Sequence, residues 1–379
     1  MRFEFASATR IVFGEGTAAT LPELARTLGS RALVVTGASQ ARAATLISAL
    51  SAETFAVLGE PTVELVREGA RRVLDAPCDV VISVGGGSAI DAGKAIAAIA
   101  TNGGEPLDFL EMVGKGRALA VPPLPFIAVP TTAGTGSEVT RNAVLGSTEH
   151  GVKASLRSPL MLPRVALVDP ELTYGLPAAI TACTGLDALT QLIEPYVSAR
   201  ANPLADAVCV EGLSRAGAAL RRAYLDGTDI DARRDMALAS LFGGLALANS
   251  GLGVVHGFAA PLGGSWKAPH GALCAALLPH SMAANVAALR ARAPLHPALG
   301  RYAAIARMLT GRSDASADDG IDWVRALCAE LNVPPLRVWG ITQDDLPGVV
   351  EKAAVASSMQ ANPLPLTGEE LLALVASAW

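Results

Sequence analysis

Between residues 31 and 169 the chain alternates short β-branched, apolar runs with Ala-rich stretches at helical spacing, and glycines mark the junctions. The runs RALVVTG (31–37), TFAVLG (54–59), DVVISVGG (79–86), PFIAVPT (125–131) and RVALVDP (164–170) predict strands. Their continuous apolarity predicts a parallel sheet covered on both faces. Helical segments are expected near 39–49, 62–75 and 88–101, the last with Ser88 as its N-cap. After TYGLPAAI (173–180) the strand-like runs stop. Ala/Leu stretches at helical spacing then cover 184–199, 203–223, 232–250, 270–290, 298–310, 318–331 and 368–378. The proline at 177, where composition changes, places a boundary there: an α/β domain over 1–176 and an all-helical domain over 177–379.

Composition narrows the class. Of 379 residues 51% are hydrophobic and 17% charged, which excludes intrinsic disorder, and the 37 glycines and 24 prolines follow no collagen period. The apolar stretches are interrupted by charges or glycines well before the ~20 residues that a membrane span needs, so a soluble chain is expected. A net charge of −5 with scattered basic residues offers no footprint for nucleic acid or membrane, so the expected partner is a small molecule. Five cysteines without C-x-x-C spacing read as buried thiols in a reducing compartment. The N-terminus shows no apolar secretory core, and a cytoplasmic location is expected.

Two loops follow predicted strands. In VVISVGGGSAIDAGKA, Gly85, Gly86, Gly87 and Ser88 lie between a buried strand and a helix. There the missing Cβ atoms and free N–H groups suit a pyrophosphate, and Asp91 stands one turn further on. The triple glycine is not the spaced G-x-G-x-x-G fingerprint, and a tight strand-to-helix turn without a ligand is the alternative reading. In VPTTAGTGSEVT, Thr131, Thr132, Thr135 and Ser137 supply uncharged donors at the C-terminal end of a strand, where open α/β sheets bind ligands.

The helical half carries the second chemistry. In TGLDALTQLIEPY, Asp187 and Gln191 stand at i and i+4 on one face of an apolar helix. As one continuous helix, HGFAAPLGGSWKAPH would hold His256 and His270 about 21 Å apart. Gly263, Gly264 and Pro269 are expected to break it and let the two imidazoles meet. Two imidazoles and a carboxylate make a sensible site for Fe²⁺ or Zn²⁺. His150 and His296 lie in hydrophilic contexts, and His280 reads as structural.

Taken together, GGGSAIDAGKA, PTTAGTGSE, GLDALTQLIEPY and GLGVVHGFAAPLGG…APHG resemble the iron-containing alcohol dehydrogenase family over nearly the whole chain. The resemblance implies an N-terminal dinucleotide-binding α/β domain with a parallel sheet, an all-α C-terminal domain, and an active site in the cleft between them, the architecture shared with dehydroquinate synthases. It implies that Gly86, Gly87, Ser88 and Asp91 hold the pyrophosphate side of NAD or NADP, that Thr131, Thr132, Thr135 and Ser137 surround the rest, and that Lys153 lies near the nicotinamide ribose. Asp187, His256 and His270 match three of four family metal ligands. The implied activity is metal-assisted hydride transfer between NAD(P) and a small alcohol, aldehyde or ketone, and the implied assembly is a homodimer or larger, with the strands of FEFASATRIVFG pairing with another subunit.

The sequence also departs from the family pattern. Gln191 replaces the fourth ligand, a histidine, with a poorer donor, and Ala260 replaces a second histidine of the family, leaving water or a cofactor hydroxyl to relay the proton. Gly37 stands where relatives place a ribose-binding acid, which leaves NAD and NADP both open. No catalytic acid–base residue is singled out. These departures keep maleylacetate reductase, which works without a required metal, as the alternative, although no dense arginine cluster for a dicarboxylate is present. A dehydroquinate synthase-like lyase is disfavoured by the five lysines. A non-haem iron oxygenase would leave the glycine and threonine loops unexplained, and a non-catalytic nucleotide binder would show cofactor binding without turnover.

Overall fold

The computed structural model describes residues 2–38, 44–50, 52–111, 113–147, 149–150, 152–266 and 268–379. By its internal contacts the chain divides into two units. One comprises Ala6–Thr132 and Gly136–Tyr174; the other comprises Gly175–Trp379 with the short pieces Met1–Phe5 and Ala133–Thr135.

The first unit is α/β. Its strands are β1 (Arg10–Phe13), β2 (Ala32–Thr36), β3 (Glu53–Ala56), β4 (Val80–Gly85), β5 (Phe126–Pro130), β6 (Asn142–Ser147), β7 (Val152–Arg157) and β8 (Val165–Val168). Its helices are α1 (Leu21–Leu28), α2 (Ala44–Ser48), α3 (Val63–Asp75) and α4 (Gly87–Asn102). Six strands form one parallel sheet in the order β1-β8-β5-β4-β2-β3. Alternate residues serve opposite faces: Leu33, Val35 and Val81 pack with Val66, Ala70, Ile90 and Ile96 of α3 and α4, while Val34, Ile82 and Val84 pack with Leu21 and Leu24 of α1. This double burial is why the strand sequences are apolar throughout rather than alternating.

Strand order fixes where a ligand can bind. From β2 the chain passes to β3 on one side, and from β4 it passes to β5 on the other, so the neighbours β2 and β4 form a topological switch point. Ligands of open α/β sheets bind outside the carboxyl ends of such a pair. The glycine loop leaves β4 at that place.

Several local expectations are corrected. Helix α4 begins at Gly87 with Gly86 as its N-cap, so Ser88 lies inside the helix and does not cap it. Residues 39–43 of the helix expected over 39–49 lie outside the described residues, and α2 occupies Ala44–Ser48. The strand expected over 54–59 is the shorter β3. The antiparallel hairpin β6–β7 was not anticipated; its period-2 burial at Ala143, Leu145, Ala154 and Leu156 was the available signal. Within FEFASATRIVFG, Arg10–Phe13 forms the edge strand β1, paired on one side with β8 of the same chain, and residues 2–8 form no strand. The outer edge of β1 has no strand partner among the described residues.

The second unit is helical: α5 (Ala178–Val197), α6 (Pro203–Leu225), α7 (Ile230–Ser250), α8 (Val254–Trp266), α9 (His270–Arg292), α10 (Pro297–Thr310), α11 (Ala317–Glu330), α12 (Leu346–Ala354) and α13 (Gly368–Ser377). Helix α5 packs against α6, α7 and α9, so nearly its whole surface is buried, including its polar residues Asp187, Thr190, Gln191 and Glu194. Helix α9 is long and apolar enough to cross a membrane, but most of its surface is covered within this unit, where it packs on α5, α8, α11 and α13. The expected break at Gly263 and Gly264 does not occur. Helix α8 continues to Trp266, since an interior glycine costs a helix only about 1 kcal/mol. The turn falls just before Pro269, which lacks the N–H needed to continue.

Candidate functional site

The glycine loop is shaped by close backbone approach. A Cβ on Gly85 would stand 2.6 Å from the Ala89 Cβ and 3.0 Å from the Gly37 backbone nitrogen, so the chain after β2 approaches the end of β4 this closely because Gly85 carries no side chain. At the start of α4 the Gly86 carbonyl accepts from the amides of Ala89 and Ile90. The amides of Gly87 and Ser88 find no acceptor among the described residues. Two open N–H groups at the positive end of a 16-residue helix form a site suited to an anion. Thr132 lies beside Gly86, its Oγ1 3.3 Å from where a Cβ would be, and the Thr131 amide donates to the Gly85 carbonyl at 3.0 Å, which ties the two loops together.

Asp91 and Ser137 are engaged internally. Ser137 Oγ donates to Asp91 Oδ1, and Oδ2 accepts from the Val144 amide at 2.9 Å. Lys94, which the sequence analysis passed over, is fully buried beneath them. Its ammonium donates to the Ser137 carbonyl (3.0 Å), Ser137 Oγ (2.8 Å), Thr140 Oγ1 (3.0 Å) and the Asn142 carbonyl, and lies 3.3 Å from Asp91. Burial pushes its pKa down, while the Asp91 carboxylate favours the charged form. The lysine thus pins the end of the threonine loop to α4. Lys94→Met is expected to destabilise the α/β unit by about 3–5 kcal/mol, because the part-buried Asp91 carboxylate and several buried acceptors lose their cation. Denaturant titration checks this, and a loss below 1 kcal/mol would show that the knot contributes little. Thr135 belongs to the piece Ala133–Thr135 in the helical unit, where Gly134 lies against Thr184 of α5. Lys153, on β7, pairs with Glu60 at 3.1 Å.

In the helical unit, Asp187 of α5, His256 of α8 and His270 of α9 come together. His256 Nε2 and His270 Nε2 lie 3.5 and 3.7 Å from Asp187 Oδ1, with ring centroids 5.3 Å apart. Asp187 and His256 are 2% and 7% exposed, whereas His270 is partly open to solvent. A fourth donor joins them. Cys274, one turn after His270 on the same face of α9, places its Sγ 3.6 Å from His270 Nε2 and 3.9 Å from His256 Nε2. All four donor atoms lie within 4.8 Å of one another. Cys274 has no C-x-x-C neighbour to mark it in the sequence. The i, i+4 relation to His270 was the available signal.

The surroundings orient these donors. Glu194, two turns after Asp187 on α5, accepts from His256 Nδ1 and from the Val255 amide, both at 2.7 Å. A carboxylate on Nδ1 fixes a proton there and turns Nε2 towards Asp187. A Cβ on Gly271 would meet the Cys183 carbonyl oxygen at 2.5 Å, so only glycine lets the start of α9 settle on α5 with His270 in reach. Burial alone would lower the histidine pKa values and raise that of Asp187. The opposite charges and the Cys274 sulfur reverse both shifts: His256 lies well above the usual imidazole range, His270 is raised to about 9, and the imidazoles hold Asp187 below the ordinary carboxylate value.

Two buried atoms of α5 at this site, Asp187 Oδ1 and Gln191 Oε1, lack a hydrogen bond among the described residues. Asp187 Oδ1 faces two imidazole nitrogens and a sulfur, a convergent donor set that suits a first-row divalent metal. The remaining histidines stand elsewhere. His150 bonds Ser147 at 2.8 Å, His296 caps α10 through the Ala298 amide, and His280 lies along α9.

Comparison with known proteins agrees with this geometry. Residues 8–170 match the family model described as iron-containing alcohol dehydrogenase, and residues 181–379 match that of the Fe-containing alcohol dehydrogenase family, C-terminal. The chain is 38% identical over 320 residues to alcohol dehydrogenase 4 of Saccharomyces cerevisiae, covering 84% of this chain and 81% of that protein. It is 38% identical over 320 residues to 1,3-propanediol dehydrogenase of Klebsiella pneumoniae, covering 83% and 79%. A crystal structure of 1,3-propanediol oxidoreductase superposes with a TM-score of 0.92 at 33% identity over the full length of both chains. These relatives support the alcohol dehydrogenase reading over maleylacetate reductase. The chain therefore belongs to the iron-containing alcohol dehydrogenase family, whose members bind NAD(P) and a metal, and it is an oxidoreductase of the alcohol–carbonyl class.

Proposed function

We propose that this enzyme interconverts a small alcohol and its aldehyde or ketone, using NAD or NADP and a divalent metal held by Asp187, His256 and His270. The observation that carries the metal assignment is the orphaned Asp187 Oδ1, buried and facing two imidazoles at 3.5 and 3.7 Å. The metal, when bound, would polarise the substrate oxygen, and the nicotinamide would exchange the hydride.

The chain's own residues position and bind. The amides of Gly87 and Ser88 receive the pyrophosphate, and Gly86, Thr131 and Thr132 shape the approach beside it. Asp91 and Ser137, whose polar atoms are already bonded, contribute by holding the loop in shape rather than by facing the ligand. Thr135 and Lys153 complete the proposed cofactor set. Glu194 keeps the proton on His256 Nδ1, so Nε2 stays available as a donor. We assign the enzyme to the cytoplasm as a soluble homodimer or larger oligomer. The unpaired outer edge of β1 supports self-association, and light scattering showing a monomer would refute it.

Steady oxidation of NADH or NADPH with a panel of small aldehydes, together with elemental analysis, tests the function. Cofactor binding without turnover of any carbonyl would overturn it. Gln191→His is expected to tighten Fe²⁺ retention against a chelator by at least about tenfold, since imidazole is a better donor than an amide oxygen. Unchanged retention would show that residue 191 does not reach the metal.

A further inference from the structure

We propose that Cys274 is a metal ligand in this chain, completing with Asp187, His256 and His270 a four-donor set that prefers Zn²⁺ to Fe²⁺. The inference rests on the metal-assisted function above and deepens it.

Three observations carry it. First, the sulfur is part of the cluster and not merely near it. Cys274 is fully buried, and its Sγ lies 3.6 and 3.9 Å from the two Nε2 atoms, while those atoms lie 3.7 and 3.5 Å from Asp187 Oδ1. Around a tetrahedral zinc, with Zn–N of about 2.05 Å and Zn–S of about 2.3 Å, donor atoms are separated by about 3.3–3.6 Å. The observed spacings are those edges, slightly expanded. Second, Asp187 Oδ1 is buried without a hydrogen bond among the described residues, so the cluster is aimed at a ligand it does not itself contain. Third, the chain offers only a neutral amide at Gln191, on the same face of α5 as Asp187, and a thiol from α9 lies within the donor cluster.

Chemistry sets the preference. A thiolate is soft and favours zinc, and for a mixed nitrogen and oxygen site the divalent series already places Fe²⁺ below Zn²⁺. Four protein donors do not bar a substrate, because zinc expands to five ligands.

The whole chain, stripped by chelator and reloaded with Co²⁺, gives a readout independent of turnover. A cobalt–thiolate bond produces a near-ultraviolet sulfur-to-metal charge-transfer band beside the visible d–d absorption. The wild-type protein is expected to show both. Cys274→Ser should keep the d–d absorption and lose the near-ultraviolet band, and its Zn²⁺ affinity by chelator competition should fall at least about tenfold, the minimum cost even of disturbing a ligand's supporting residue. Cys183→Ser, which removes the neighbouring thiol one turn before Asp187, should retain the band. If the serine variant does not fold, Cys274→Ala gives the same reading. A d–d spectrum without the charge-transfer band in the wild-type protein, or a band that survives loss of Cys274, would overturn the assignment of Cys274 while leaving the metal-assisted function intact. Failure of the wild-type protein to take up cobalt or zinc would overturn both.

Discussion

Asp187→Ala is expected to abolish metal retention and to lower kcat/KM for a small aldehyde by about 10³-fold or more. Asp187 is the carboxylate of α5 that both Nε2 atoms face, at 3.5 and 3.7 Å, whereas Glu194 of the same helix bonds His256 at Nδ1. Without it, a cation at this buried site would be held by two neutral imidazoles with no oxyanion of Asp187 to offset its charge, and polarisation of the substrate oxygen would be lost. Removal of metal-ion electrophilic assistance is worth several kcal/mol, and each 1.4 kcal/mol is a factor of ten. Elemental analysis after dialysis, paired with steady-state kinetics and a melting curve, checks the result. Metal content within twofold of the wild type in a folded variant would contradict the ligand assignment.

Gly87→Val is expected to weaken NADH binding by at least about 100-fold, or about 2.7 kcal/mol. Gly87 opens α4, and its amide and that of Ser88 have no internal acceptor. A β-branched side chain there would crowd the helix start, where a diphosphate would accept from both N–H groups beside the positive end of the helix dipole. Fluorescence titration measures the affinity, and circular dichroism shows whether the helix survives. Unaltered affinity in a folded variant would refute the phosphate assignment and would place the cofactor on other residues.

Much of this was legible along the chain because it depends on neighbours in sequence. The five parallel strands announced themselves through apolar runs that reflect burial on both sheet faces. The triple glycine sits where a strand must turn into a helix, and Asp187 stands out as a carboxylate in an apolar helix. The hairpin β6–β7 was missed because its short period-2 pattern, NAVLGS and VKASLR, follows a loop whose glycines and threonines dominate the local signal. Lys94 was passed over because a lysine inside an Ala-rich helix reads as solvated. Only the packing of the threonine loop over it shows that it is sealed from water and bonded by a carboxylate, two carbonyls and two hydroxyls.

By itself the sequence determined the classes of most elements and singled out the glycine loop and the candidate donors Asp187, His256 and His270, since periodicity, glycine content and residue chemistry are local properties. Tertiary structure decided which of five histidines meet, that Cys274 rather than a remote thiol joins them, that Glu194 orients His256, and that Asp91 and Ser137 are consumed internally. Those facts depend on helices α5, α8 and α9 packing at particular angles over separations of up to 87 residues in sequence. Distance in space between residues so far apart is set by the summed burial of the whole core, which no local pattern encodes.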